Sequence, residues 1–173
     1  GVPFIRDPVF GERMDAIFAR CDALLLGRKT YDTFKAFWPQ VDNDANAAAR
    51  TINTGIKYLA SRTATDDSWQ ETRILRDPLA EIDAIKSRHA GEVQIHGSAG
   101  LARSLLETDA IDEMNLFVFP VVLGRGKRLF GEASAPAAFE RIESVTGEDG
   151  LVMCRYRRSG PVAQETATLE MES

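Results

Sequence analysis

The stretch "ALLLGRKTYDTF", residues 23–34, sets the frame for the whole chain. Four consecutive apolar residues, Ala23 to Leu26, read as a buried strand. They run into Gly27, then Arg28, Lys29 and Thr30, and straight on into a helix carrying Tyr31 and Phe34. With no loop between, the first turn of that helix lies directly beyond the strand's carboxyl end. Its free N–H groups and positive dipole end face outward there. The junction is either plain architecture, a helix start with solvated cations, or a place for an anion.

Outward from this stretch, strand and helix alternate. Upstream, Phe10, Met14, Ile17 and Phe18 share one face of a helix over about 9–20. Downstream, the second helix stops at Trp38-Pro39, because the residue before proline disfavours helix. A short alanine-rich helix within 42–53 precedes "IKYLAS", 56–61, a strand. A polar loop with Trp69 leads to the short strand "TRIL", 72–75. Asp77 caps a helix over 78–89, with Pro78 at its first position and Leu79, Ile82 and Ile85 as its apolar positions. "EVQIHG", 92–97, is a strand that meets glycine. Ser98 then caps a helix over 99–107, with Leu101, Leu105 and Leu106 inward. "EMNLFVFP", 113–120, is a strand, and "GRGKRLF", 124–130, reads as a crossover rather than a phosphate loop. Strands near 138–146 and 151–158 flank "GEDG", a hairpin turn. The pattern predicts an α/β fold: a mixed sheet, mostly parallel, with an antiparallel C-terminal hairpin and helices on both faces. Residues 1–158 form one domain, and 159–173 are expected to be a flexible tail.

Composition narrows the function. The chain has 173 residues and a net charge of −5. That balance argues against a nucleic-acid partner or an anionic membrane, both of which need a basic face. Cys21 and Cys154 sit beside apolar segments and read as buried free thiols. No Cys/His pair has metal-ligand spacing, so no metal is expected. No stretch approaches the roughly 18 apolar residues of a membrane span, and no signal peptide is visible, so a cytoplasmic protein is expected.

Three strand ends then look alike. "LLLGRKT" and "VQIHGSAG" both end at glycine with a helix directly behind, and "LASR" ends a third strand with Ser61 and Arg62. In a parallel sheet all three lie at one edge, where ligands bind. Glycine lets a phosphate approach the backbone, while Thr30, Ser98 and Arg28 supply donors. A hydroxyl plus a guanidinium at 61–62 suits a phosphomonoester. Each motif alone has a bland alternative: a capped helix start, a tight turn, a surface loop. Together they favour a dinucleotide site.

The order "LLLGRKTY", "YLAS", "IHGSAGLARSLLE", "IDEMNLFVFPVVLGRGKRLF" resembles the dihydrofolate-reductase-like family. More specifically, it resembles the family that includes the C-terminal reductase domain of the bifunctional riboflavin-biosynthesis deaminase-reductase and its stand-alone bacterial relatives. The resemblance covers roughly residues 10–158. It implies an NADPH-dependent reductase that passes hydride to a small pterin-like or pyrimidine-like heterocycle. The alternative is a non-catalytic nucleotide-binding protein that keeps the fold. Carried over, the cofactor residues are Gly27, Arg28, Lys29 and Thr30, then Ser61 and Arg62, then Gly97, Ser98, Ala99 and Gly100. Phe34 and Trp38 become substrate-wall candidates. The catalytic candidates are His96, which would orient substrate or donate a proton, and Asp15 on the first helix. The resemblance further implies a cis peptide at His96–Gly97. It also implies a homodimer using apolar residues such as Phe117, Phe119 and Val121. Chains of this fold open with a strand in mid-sheet. Here "GVPFIRDPVFGERM" leads almost at once into a helix, so that first strand is expected to be absent from the chain as given.

Overall fold

Each apolar run of the first hundred residues becomes a strand, and its alternating side chains meet helices on two faces. The structure, a computed structural model, describes residues 7–130 and 136–162. In chain order the elements are α1 (Pro8–Phe18), β1 (Cys21–Gly27), α2 (Arg28–Phe37), α3 (Ala47–Thr54), β2 (Ile56–Ala60), β3 (Thr72–Leu75) and α4 (Pro78–Arg88). Then follow β4 (Glu92–Gln94), α5 (Ala99–Leu106), β5 (Glu113–Val118), β6 (Ala138–Thr146) and β7 (Val152–Gly160). Four parallel strands pair in the order β3-β2-β1-β4, and three antiparallel strands pair in the order β5-β7-β6.

The core divides by strand parity. Leu24, Leu26 and Leu59 face Phe18, Tyr31, Ile52 and Trp69, on the side of α1, α2 and α3. Ala23, Leu25 and Tyr58 face Ile82, Ile85 and Leu105, on the side of α4 and α5. Leu24, Leu25 and Leu26 are fully buried, and each such side chain contributes about 1.5–3 kcal/mol of burial. Three helix starts, those of α1, α3 and α4, are capped by side chains. Asp7 accepts from Val9 N, Asn46 from Ala49 N and Asp77 from Ala80 N.

Some boundaries differ from expectation. β4 has three residues rather than six, because the chain turns through Gly97 (φ +61°) and Ser98 (φ +48°). β7 continues to Gly160, two residues into the expected tail, with Arg158 N donating to Asp112 O at 2.8 Å. Residues 163–173 of that tail lie outside the described residues. Leu79, read as a core position of α4, is exposed in its first turn. Cys21 and Cys154 are unbridged and half-buried, and burial pushes the Cys21 thiol up to about 12. Among the described residues no helix is long and apolar enough to cross a membrane.

The two sheets do not share a ladder. Among the described residues β4 pairs only with β1, and β5 only with β7. Their other edges line a cleft of about 590 Å³, between Met14 and Ile17 of α1 and Leu105 and Leu106 of α5. Arg155 bridges its base, 2.5 Å from Glu113 and 3.8 Å from Glu92. Since Glu92 and Glu113 each begin a strand, β4 and β5 start side by side.

Candidate functional site

Gly27 stands in register with Ala60, and Ala60 with Leu75. The residues that follow β1 and β2, Arg28 and Ser61, therefore emerge on one sheet edge, as parallel pairing requires. The turn after β4 joins the same edge through two hydrogen bonds. Gly27 N donates to Ser98 Oγ at 2.9 Å, and Ser98 N donates to Thr30 Oγ1 at 3.1 Å. The strand-to-helix junctions β1–α2 and β4–α5 are thus clasped to each other. A Cβ on Gly97 would meet Thr30 Oγ1 at 3.3 Å, so this glycine sits tight against the partner junction.

Two expectations change here. Ser98 occupies the position before α5, but its hydroxyl goes to Gly27 instead of capping the helix. The first-turn N–H groups of α5 are left without a side-chain cap. The His96–Gly97 peptide is trans, as are all peptides among the described residues. The reversal comes instead from two consecutive left-handed residues, Gly97 and Ser98, which turn the chain without a cis bond.

The remaining cofactor candidates are placed as follows. Arg28 is exposed and turned along its own helix, with Nε 2.8 and 3.0 Å from the two oxygens of Asp32. Lys29 and Arg62 are exposed. Ser61 Oγ closes a turn by accepting from Ala64 N at 3.1 Å, which leaves its own hydrogen available. Ala99 and Gly100 open α5, and a Cβ on Gly100 would meet nothing within 4 Å. Two helix starts, open space over Gly100 and outward cations make a donor set that fits a diphosphate with a phosphomonoester nearby.

The other candidates separate into two groups. His96 and Gly97 line the cleft between β4 and β5, and so reach both the clasped edge and the interior. Asp15 does not join them. It is exposed, and its Oδ1 accepts from Ala47 N at 3.2 Å, at the start of α3. Met14 and Ile17 are the residues α1 turns to the cleft. Phe34 and Trp38 are half-buried against the α2–α3 core, with ring centroids 6.1 Å apart. Of the dimer candidates, Phe117 and Phe119 pack on Phe10, with centroids at 5.1 and 5.9 Å. Val121, Val122 and Leu123 stay exposed on the following segment.

His96 is the most constrained of these side chains. Its ring stacks on Phe18, centroids 4.3 Å apart and 9° from parallel. Its Nε2 lies 2.9 Å from Gln94 Oε1. Burial pushes the imidazole down to about 4, so it is neutral at pH 7. Gln94 was absent from the sequence reading, as was the fully buried Lys57. Lys57 Nζ donates to Ile52 O and Gly55 O at 2.8 and 2.7 Å, and stands 4.5 Å from the Trp69 ring centre. Period-2 alternation carried the signal for Lys57, because it shares a strand face with Leu59.

Known proteins match this architecture. The uncharacterized protein YyaP of Bacillus subtilis is 27% identical over 158 residues, covering 90% of this chain and 83% of its own. The uncharacterized YwjB of the same organism is 32% identical over 114 residues, 64% of this chain and 59% of its own. Among solved structures, a proposed riboflavin biosynthesis protein from Shewanella sp. PV-4 superposes with a TM-score of 0.69 at 26% identity. That match covers 91% of this chain and 83% of the Shewanella chain. A pyrimidine reductase-like protein from Corynebacterium diphtheriae shares the fold, with a TM-score of 0.61 at 14% identity, over 90% and 83% of the two chains. Residues 5–153 match the RibD C-terminal domain. With that match spanning most of its length, the chain belongs to the RibD C-terminal domain family.

Proposed function

We propose that this protein is an NADPH-dependent reductase acting on a small pterin-like or pyrimidine-like heterocycle. The observation that carries the reading is the clasp. Gly27, Thr30 and Ser98 bring two helix starts together at the edge of a parallel sheet, where anionic ligands bind. When bound, NADPH supplies hydride to an electron-poor C=N or C=O carbon. The chain's own residues hold and orient. The N–H groups opening α5, beside the open face of Gly100, take the diphosphate, and Lys29 balances its charge. Ser61 and Arg62 take the 2′-phosphate.

The test pairs two measurements on the purified protein. Titration calorimetry with NADPH asks whether the edge binds the cofactor. NADPH oxidation against a panel of dihydropteridines and pyrimidine reductones asks whether hydride leaves it. Binding with turnover of at least one panel member supports the reading. Binding without any turnover supports a nucleotide-binding protein instead. No binding at all removes both.

A further inference from the structure

We propose that Lys57 is a positioning residue for the 2′-phosphate subsite, and that its ammonium, acting through Trp69, makes the hold on that phosphate weaken in alkaline solution. This deepens, and rests on, the reading of the edge as an NADPH site. The segment between β2 and β3 opens with Ser61 and Arg62, the pair given to the 2′-phosphate. It closes on Trp69, which is buried. Between them, Ala64 N donates to Ser61 Oγ at 3.1 Å, and Ala64 is buried in the same core cluster as Trp69. The turn that sets the Ser61 hydroxyl is therefore seated on the part of the core that Trp69 fills. Lys35 Nζ ties the middle of the segment to α2, through Asp66 at 2.6 Å and Ser68 Oγ at 2.8 Å.

Trp69 is held in turn by a ring and a charge. Tyr31 of α2 meets it edge-on, with centroids 5.5 Å apart. Lys57 Nζ stands 4.5 Å from its ring centre, within the range of a cation–π contact. Lys57 is fully buried, and its Nζ donates to Ile52 O, Gly55 O and Asn53 O at 2.8, 2.7 and 3.5 Å. Those carbonyls close the C-terminal end of α3, where the helix dipole favours a cation. The Glu71 carboxylate, at the foot of β3, favours it too. The other charges on the surrounding elements are committed elsewhere. Arg50 of α3 pairs with Asp44, Lys35 of α2 with Asp66, and Arg28 with Asp32. Arg73 of β3 lies against Tyr58, which faces the other side of the sheet. Burial outweighs the attractions and brings Lys57 down from 10.5 to about 8. The ammonium is thus present at pH 7 and mostly gone at pH 9. A neutral amine keeps two hydrogens, enough for the Ile52 and Gly55 carbonyls, so the fold persists. What goes is the attraction for the Trp69 face, which belongs to the cation. The segment that carries Ser61 and Arg62 then loses one of its holds. The diphosphate end of the site, at the start of α5, keeps all of its own.

The experiment reads the ring and the ligand separately. Trp38 and Trp69 are the two tryptophans of the chain, so Trp38→Phe leaves Trp69 as the reporter. Its emission should titrate with a midpoint near pH 8, the same midpoint should appear in the unmodified protein, and Lys57→Met should be flat. Emission that does not change between pH 7 and 9 overturns the proposal. Calorimetry on the unmodified protein then compares adenosine 2′,5′-bisphosphate with adenosine 5′-monophosphate at pH 7 and pH 9. The bisphosphate should bind about three- to tenfold more weakly at pH 9, tenfold being the limit for a ligand that binds only the protonated form. The monophosphate should be unmoved. By reciprocity the bisphosphate should raise the fluorescence midpoint. Lys57→Met should bind the bisphosphate at pH 7 as weakly as the unmodified protein does at pH 9. Bisphosphate affinity that stays flat to pH 9, or a monophosphate that weakens alike, overturns the coupling while the NADPH reading stands. No binding of either nucleotide at pH 7 removes that reading and this proposal together.

Discussion

Ser98 is asked to do two things that can be separated by mutation. Its hydroxyl accepts from Gly27 N at 2.9 Å, and its backbone sits in the left-handed region at φ 48°, ψ 43°. Ser98→Ala removes the acceptor and keeps the unfavourable backbone. Leaving a half-buried N–H unpaired costs about 1–2 kcal/mol. Ser98→Gly removes the same acceptor but relieves a left-handed strain of about 1 kcal/mol. Part of that gain is returned through the freer unfolded chain. The expected losses are thus about 1–2 kcal/mol for alanine and about 0–1 for glycine. Urea unfolding monitored by circular dichroism measures both, provided the slope m stays constant. Cofactor affinity should behave differently. Both variants lose one of the two hydrogen bonds between the junctions and keep Ser98 N to Thr30 Oγ1, so NADPH binding should fall by a similar factor, a few-fold to roughly tenfold, in each. If alanine and glycine are equally stable, or glycine is the worse, the strain argument fails. If NADPH binds both variants as well as the unmodified protein, the Ser98 hydroxyl has no role in the site.

Lys57 gives a pH signature. Burial lowers it from its ordinary 10.5 to about 8, so between those values the unfolded chain binds more protons than the folded one. Stability should therefore rise from about pH 8 to pH 10.5. The carbonyl partners and the Trp69 ring favour the ammonium, so the gain should be about 1–3 kcal/mol. Lys57→Met should flatten that window in urea melts, and an unmodified protein whose stability falls there would contradict the placement. Arg62→Ala should reduce the preference for NADPH over NADH about tenfold in calorimetry, the scale of one charged hydrogen bond. Val122 and Leu123 are 98% and 79% exposed, and a second copy of the chain is the cover we propose for them. Light scattering should give twice the chain's 19.1 kDa, and Val122→Asp should return it to that single-chain mass.

Much of this architecture was legible because periodicity and punctuation agree. Leu24 to Leu26 fill a strand buried on both faces, and Asp77-Pro78 marks a helix start that the structure repeats to the residue. The convergence of Gly27, Ser61 and Gly97 on one edge followed from parallel pairing alone. What sequence could not supply was the direction of side chains. Ser98 reads as a cap, yet its hydroxyl crosses 71 positions to Gly27. Arg28 reads as a phosphate ligand, yet Asp32 one turn on draws its guanidinium along the helix. Gln94 and His96 meet because alternate residues of a strand share a face, but no local pattern announces that Ile17 O would fix the amide.

The interruption between β4 and β5 bears on how the molecule opens. Among the described residues, the parallel and antiparallel sheets share no backbone ladder. They are joined there by side-chain contacts such as those of Arg155, Glu92 and Glu113. Cooperative units in native proteins follow such boundaries. Amides of β1 and β2 should accordingly exchange with solvent in one kinetic group, and those of β5 and β7 in another.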